Sequence, residues 1–166
     1  MHDVTKQWAA VLSDAWGIDA TCEPLPGEFD LNFRATTRDG ATYVLKVMRA
    51  ECDASFVSLL CAAHQHIRSR DASVPVPAVI ATVDGKPWCV RADENGADRM
   101  LWLLSWLEGA EYARFRPHSL PLASNIGNAV ARLDRALSDF SHPSLHRDLK
   151  WNLLRADWIG AHLHKI

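Results

Sequence analysis

The sequence lacks a long apolar run, a surplus of positive charge and a secretory signal. Its longest apolar stretch, residues 100–107, is far shorter than the roughly twenty residues of a bilayer-spanning helix. Lysine and arginine total 18 against 20 aspartate and glutamate, whereas proteins that track nucleic acid carry a clustered basic excess. These absences predict a cytoplasmic protein that binds neither membranes nor nucleic acid.

The sequence also lacks a Cys-x-x-Cys pair, which argues against a zinc ribbon. The spacing of the cysteines favours free buried thiols at Cys22, Cys52, Cys61 and Cys89. The pairs His64/His66 and His162/His164 are i, i+2 pairs, which point apart on a helix. No metal ligand is therefore predicted.

The length of 166 residues, 48% of them hydrophobic, suits about one domain with its own core. Apolar residues at helical spacing predict three helices, over 4–16, 53–70 and 120–137. Between the first two, Asp39-Gly40 separates two β-like runs, and this pattern predicts a hairpin over residues 29–48.

Further strands are predicted after the second helix. Residues 78–83 and 87–91 flank Asp84-Gly85 and are expected to form a second strand-turn-strand unit, and residues 100–107 form a buried strand. The regular alternation of a doubly wound parallel sheet is absent. The fold class predicted is therefore α+β, with an antiparallel sheet of about five strands and a helix packed on one face.

Lys46 interrupts an apolar strand, the run from Tyr43 to Val47. Burial of an unpaired ammonium is costly, so this lysine needs an anionic partner. It is either a lysine that snorkels from an edge strand or one that pairs with nucleotide phosphates, as in the Val-Ala-Ile-Lys strand of protein kinases.

Two neighbouring segments favour the nucleotide. The turn at residues 27–33 stands where a kinase-like fold places its phosphate-covering loop, although it is not Gly-x-Gly-x-x-Gly. Residues 103–109 form an apolar strand that runs into a glycine-containing link, where backbone groups can meet the edge of a base.

With these segments, the chain resembles the aminoglycoside phosphotransferase and choline kinase family of small-molecule kinases, which shares the protein-kinase fold. The residues that carry the resemblance are 25–33, 39–40 and 43–47. Within the family, residues 74–77, 102–109 and 133–156 look closest to hydroxylysine kinase and to the kinase-like domain of class III aminotransferase fusion proteins. The resemblance covers nearly the whole chain.

The resemblance implies an N-terminal nucleotide-binding lobe over 1–108, followed over 109–166 by a linker and the start of an incomplete helical C-terminal lobe. It implies ATP or GTP with Mg²⁺ as cofactor, and a hydroxyl on a small amine or amino acid, such as hydroxylysine, as acceptor in the full-length family. The implied nucleotide-binding residues are Lys46 on the phosphates, the loop residues Gly27, Glu28, Phe29, Asp30 and Asn32, and Ser105, Trp106 and Leu107 near the base.

The tract 146–152 echoes the catalytic loop of protein kinases but departs from its spacing. Asn152 follows Asp148 by four residues where the kinase pattern has five, and no Asp-Phe-Gly follows. In the relatives that it resembles, a similar tract is helical and precedes the true loop. We therefore predict a helical stripe over 143–156, with no catalytic or metal-binding residue assigned and Asp148 not a catalytic base.

The family pattern also requires a helix-borne acid beside the strand lysine. No glutamate occurs along 53–70, which leaves Gln65 or Asp53 as candidates. Two hypotheses remain open. The chain is the nucleotide-binding portion of a small-molecule phosphotransferase, inactive as it stands, or it is a non-catalytic kinase-like lobe that serves as a folding or docking module in a larger multidomain protein, covalently linked to a downstream domain such as an aminotransferase.

Overall fold

The structure is a computed structural model that describes residues 2–147, 152 and 157–165. Its elements, in chain order, are α1 His2–Trp16, β1 Ala20–Leu25, β2 Leu31–Thr37, β3 Thr42–Val47, α2 Ala54–Arg70, β4 Val79–Ile80, β5 Cys89–Ala92, β6 Asp98–Ser105, α3 Leu120–Leu137 and a 3₁₀ helix Asp157–Lys165. None of the helices in this part of the chain is long and apolar enough to cross a bilayer.

The strands form one antiparallel sheet in the order β1-β2-β3-β6-β4, with β5 also paired to β6. The predicted hairpin is confirmed as β2 and β3. Gly40 closes it with a positive φ of 89°, a conformation that costs glycine little. The α+β prediction is confirmed, with six strands instead of about five.

The second predicted strand-turn-strand unit is wrong in its pairing. Residues Asp84 and Gly85 do form a turn, since the Gly85 N–H donates to the Thr82 carbonyl. However, β4 and β5 do not pair with each other, and each pairs with β6. The eight-residue β6 is long enough for β4 to pair near Leu104 and β5 near Leu101.

Alternating side chains give the sheet two different faces. One face, called here the α1 face, packs against Trp8, Leu12 and Trp16 of the first helix. Its buried strand residues are Phe33, Ala35, Leu45, Val47, Leu101 and Leu103. The α2 face packs Trp102 and Leu104 against the second helix. The prediction of a helix on one face is therefore incomplete, since helices pack on both faces. Periodicity identified the apolar stripe of α1 but did not show that this stripe packs on the sheet.

The four cysteines are free, as predicted. Cys52 and Cys61 are buried, whereas Cys22 and Cys89 are only partly buried. Burial raises the pKa of the Cys22 and Cys61 thiols to about 11, which keeps both protonated at neutral pH.

The third helix packs along α2. Ile67 and Val74 meet Ala136 in a small apolar cluster, and the Arg132 guanidinium donates to the Asp71 carboxylate at 2.8 Å. The predicted helical tract over 143–156 is not observed at residues 143–147, which form a turn and a bend. Asp148 and the rest of that tract, apart from Asn152, lie outside the described residues.

Candidate nucleotide site

Lys46 lies in the interior of the sheet, since β3 is hydrogen-bonded to β2 on one side and to β6 on the other. The edge-strand interpretation of this lysine is therefore wrong. In the strand register Lys46 stands between Asn32 and Trp102, on the α2 face. Its Nζ donates a hydrogen bond to Asn32 Oδ1 at 2.8 Å.

Neither residue proposed from the sequence as the partner of Lys46 takes that role. Gln65 is exposed on α2. The Asp53 carboxylate caps α2 by accepting from the Phe56 N–H at 2.9 Å, and it lies 3.7 Å from the Arg147 guanidinium. Hydrogen bonds, first from Ser55 and then from the Phe56 backbone, hold the pKa of Asp53 below its ordinary value. Lys46 is thus held by a neutral amide.

The loop over residues 26–30 rests on the same asparagine. Asn32 Nδ2 donates to the carbonyl oxygens of Pro26 and Asp30, both at 3.3 Å. A Cβ at Gly27 would clash with Asn32 Nδ2 and with the Asp30 carbonyl oxygen. Only glycine fits at this position, because a real Cβ never approaches other heavy atoms so closely.

Arg49 holds the loop from its other side. The Arg49 backbone N–H donates to Asp30 Oδ1 at 2.9 Å, and its guanidinium lies 5.5 Å from the centre of the Phe29 ring. Phe29 is 60% exposed and Glu28 is also exposed. The loop is therefore fixed at its base while its tip faces solvent.

The opposite end of the candidate site lies where β6 ends. Ser105 is hydrogen-bonded to the chain just before β4. Its Oγ accepts from the Ala78 N–H at 2.9 Å, and its own N–H donates to the Ala78 carbonyl. The Trp106 N–H donates to the Thr42 carbonyl at 3.2 Å. Leu107 is exposed, and its N–H makes no hydrogen bond within the part of the chain that the structure describes.

Arg34 belongs to the same face and was missed by the sequence analysis. It pairs with Val44 in the register, two residues along β2 from Asn32. Its guanidinium carbon lies 5.0 Å from the centre of the Trp106 ring, and its buried Nε has no hydrogen-bond partner among the described residues. The signal was available in the sequence, because Arg34 alternates with the buried Phe33 and Ala35 as Lys46 does with its neighbours.

The polar and aromatic side chains described above form a strip on the α2 face, which runs from the 26–30 loop to the end of β6. Its members are Asn32, Arg34, Lys46, Trp102 and Trp106. Lys46 pairs with Trp102, and Trp106 follows four residues later, which corresponds to about 13 Å along a strand. Lys46 and Arg34 make no ion pair with a carboxylate among the described residues, so both cations are available to an anionic ligand.

The described residues contain no group of three or more His, Cys, Asp or Glu side chains able to hold a metal ion. Two cavities lie away from the strip. One, of about 780 Å³, is lined by the end of α1 and residues 82–91, and the other, of about 540 Å³, lies between α1 and the β1–β2 edge.

Comparisons with known proteins give relatives in sequence and in fold. No family model matches the chain. In sequence, it is 28% identical over 174 residues to hydroxylysine kinase from Mus musculus and 27% identical over 175 residues to the same enzyme from Bos taurus. The alignments cover 93% and 96% of this chain and 46% of each enzyme. The chain therefore spans about half the length of the curated relatives it matches.

Solved structures give the fold. The structure of a microcompartment-associated aminopropanol kinase superposes with a TM-score of 0.67 at 16% identity, over 89% of this chain and 45% of that one. An amicoumacin kinase in complex with AMP-PNP, Ca²⁺ and Ami gives 0.72 at 13% identity, over 97% of this chain and 54% of that one. These superpositions show a kinase-like fold and confirm the kinase-like N-terminal lobe that the sequence predicts. The similarity to hydroxylysine kinase agrees with the resemblance to the aminoglycoside phosphotransferase family.

Proposed function

We propose that residues 1–108 of this kinase-like chain bind ATP or GTP with Mg²⁺ and are the nucleotide-binding portion of a small-molecule phosphotransferase. Residues 109–166 are then a linker and the start of a helical lobe. The observation that carries the proposal is the pair of cations, Lys46 and Arg34, on one sheet face between a glycine-dependent loop and a strand end.

The strip suits an extended nucleoside triphosphate. Its phosphates would lie on Lys46 beneath the loop that contains Gly27, Glu28, Phe29 and Asp30, where charge-assisted hydrogen bonds are strongest. The base would lie about 13 Å away, against Trp106 and the free backbone N–H of Leu107. The Ser105 Oγ accepts from the Ala78 N–H just before β4, and its place near the base remains a prediction.

The described residues do not form a magnesium site by themselves. Mg²⁺ is often held by one or two carboxylates together with substrate phosphates, and the carboxylate of Asp30 already accepts from Arg49. The metal would therefore arrive on the phosphates, and we assign no protein ligand to it.

The acceptor is proposed for the whole protein and not for this chain alone. The curated relatives are named hydroxylysine kinases, so a hydroxyl on a small amine or amino acid is the acceptor class we propose. We assign no catalytic base, and we propose that the chain by itself transfers no phosphoryl group. A cytoplasmic location and a downstream domain linked to this chain remain predictions.

A titration tests nucleotide binding. Mg-ATP and Mg-GTP are each added while tryptophan fluorescence is followed, because Trp102 and Trp106 lie on the strip. We expect saturation below about 1 mM, which corresponds to more than about 4 kcal/mol of binding free energy. Lys46→Ala is expected to weaken it at least about tenfold with little loss of stability, since the change opens no apolar cavity.

Lys86→Ala is the matched control for that titration. Lys86 is an exposed lysine paired with Asp84 at 2.9 Å and lies outside the strip. It is expected to bind nucleotide like the wild type. Equal affinity in Lys46→Ala and Lys86→Ala would contradict the proposal.

The docking module is the second candidate function, and two observations favour it. Lys46 has no acidic partner among the described residues, and α3 leaves Leu120, Ile126 and Val130 exposed. A chain that gives no saturable signal with either nucleotide, yet binds a downstream helical domain supplied separately, would have this function. A full-length open reading frame that encodes an aminotransferase after this lobe would identify the fusion.

A further inference from the structure

We propose that Asn32 is the positioning residue for Lys46 and that it couples the lysine to the 26–30 loop. The inference rests on the proposed function, because it assigns a role within the same nucleotide site. In this chain the side-chain amide of Asn32 on β2 would hold Lys46, because α2 carries no carboxylate that could do so.

The asparagine uses every hydrogen-bonding group of its amide. Oδ1 accepts from Lys46 Nζ at 2.8 Å, and Nδ2 donates to the carbonyls of Pro26 and Asp30 at 3.3 Å. An ammonium can only donate and a carbonyl can only accept. The amide therefore fits in one orientation only, since its reverse would place donor against donor and acceptor against acceptor.

The loop depends on that orientation. A Cβ added at Gly27 would clash with both Asn32 Nδ2 and the Asp30 carbonyl oxygen, so the loop backbone passes close to the amide. Arg49 holds Asp30 from the other side through its backbone N–H. A shift of the Asn32 side chain would therefore move the loop and the lysine together.

A neutral partner has an electrostatic consequence for ligand binding. A carboxylate beside Lys46 would neutralise much of its charge before any ligand arrived. The Asn32 amide orients the ammonium through one hydrogen bond and leaves its positive charge, with its two other N–H donors, for phosphate oxygens. On α2, the residue that faces the neighbouring Trp102 is His64, with ring centres 5.5 Å apart, and not an acid.

The test is a double-mutant cycle. Wild type, Asn32→Ala, Lys46→Ala and the double variant are titrated with Mg-AMP-PNP and with adenosine, which has no phosphate. We expect Asn32→Ala to weaken AMP-PNP binding about tenfold and to leave adenosine binding unchanged. In the Lys46→Ala background, Asn32→Ala should have almost no further effect, because the residue acts through the lysine.

The control is Asn95→Ala, which changes an exposed asparagine in the turn before β6 and should bind like the wild type. Independent effects of Asn32→Ala and Lys46→Ala, or equal losses for adenosine and AMP-PNP, would overturn the inference. Unchanged affinity in Asn32→Ala beside a weakened Lys46→Ala would overturn it and leave the proposed function standing. Absence of Mg-AMP-PNP binding by the wild type would instead overturn the proposed function, and the inference with it.

A second variant tests the coupling to the loop without depending on affinity. Asn32→Asp keeps an oxygen acceptor for Lys46 but removes both donors to the loop carbonyls. Amide hydrogen exchange over residues 27–30 is expected to become faster, with exchange in β3 unchanged. Unchanged exchange in the loop would show that the amide does not hold it and would contradict the coupling.

Discussion

The two faces of one sheet have different compositions. On the α1 face, Phe33, Leu45 and Leu103 are at most 4% exposed and belong to one apolar cluster. On the α2 face, the same strands place Asn32, Arg34 and Lys46 beside the apolar contacts of the helix. The buried strand residues of the α1 face are thus apolar, whereas the α2 face combines an apolar cluster with polar and charged side chains. Because the strand period is two, neighbouring residues of β2 and β3 have opposite roles.

The largest effect is expected on the α1 face. Leu103→Ala should lower the free energy of unfolding by about 2–5 kcal/mol, because it leaves a cavity at a fully buried position. Urea denaturation followed by tryptophan fluorescence measures the change. Val90→Ala on β5, where Val90 is 40% exposed, is the control and should cost clearly less. Equal losses in the two variants would show that the α1 face is not the main source of stability.

Gly27→Ala is expected to give the next largest effect. The change should lower nucleotide affinity and leave the free energy of unfolding nearly unchanged. The new Cβ would clash with the Asp30 backbone oxygen, so the loop must shift from its position beside Lys46. Nucleotide affinity should fall about tenfold in the fluorescence titration. Gly109→Ala is the control, since a Cβ there meets nothing within 4 Å and its backbone has no positive φ. Wild-type affinity in the Gly27→Ala protein would show that the loop does not contribute to nucleotide binding.

Arg34→Met should have a smaller effect. Methionine keeps an apolar contact with Trp106 but removes the guanidinium with its unpartnered Nε. Nucleotide affinity is expected to fall by a few fold, while thermal stability stays equal or rises, because an unsatisfied buried donor is removed. Arg38→Met, which changes an exposed arginine beyond β2, should leave affinity unchanged. A loss of stability without a loss of affinity would make Arg34 a structural residue of this face.

The smallest effect concerns pH. Burial lowers the pKa of His64, which lies against Trp102 on the α2 face. Below the ordinary histidine pKa of about 6.5 the unfolded chain takes up a proton that the folded chain resists, so stability falls as the pH falls. His64→Gln should lessen the loss of stability between pH 7 and pH 5, as measured by urea denaturation. The same pH dependence in wild type and His64→Gln would contradict this assignment.

Much of the fold follows from sequence periodicity. The apolar stripes gave the helices, and Asp39-Gly40 gave the hairpin, because both signals are local. The pairing of β4 and β5 with β6 was not predictable in this way. It depends on which edge of β6 is free, and this is fixed only once β3 occupies the other edge.

The site was predictable only in part, because some of its signals are local in the sequence and others depend on strand pairing. Lys46 was identified because a charge in an apolar strand is visible in the sequence itself. Its partner was sought on α2 by analogy, whereas the strand register places Asn32 directly beside it. The position of Arg34 between Phe33 and Ala35 was visible in the sequence, but its contact with Trp106 was not predictable, because it joins residues far apart in the chain.

The most direct test of the difference between the two faces is the mapping of backbone amide chemical shifts on addition of Mg-AMP-PNP. We expect perturbations in Gly27–Asp30, at Lys46 and at Leu107, with residues 8–16 of α1 unaffected. Perturbations confined to α1 and residues 82–91, which line the larger cavity, would place the ligand in that cavity and contradict a nucleotide site on the α2 face.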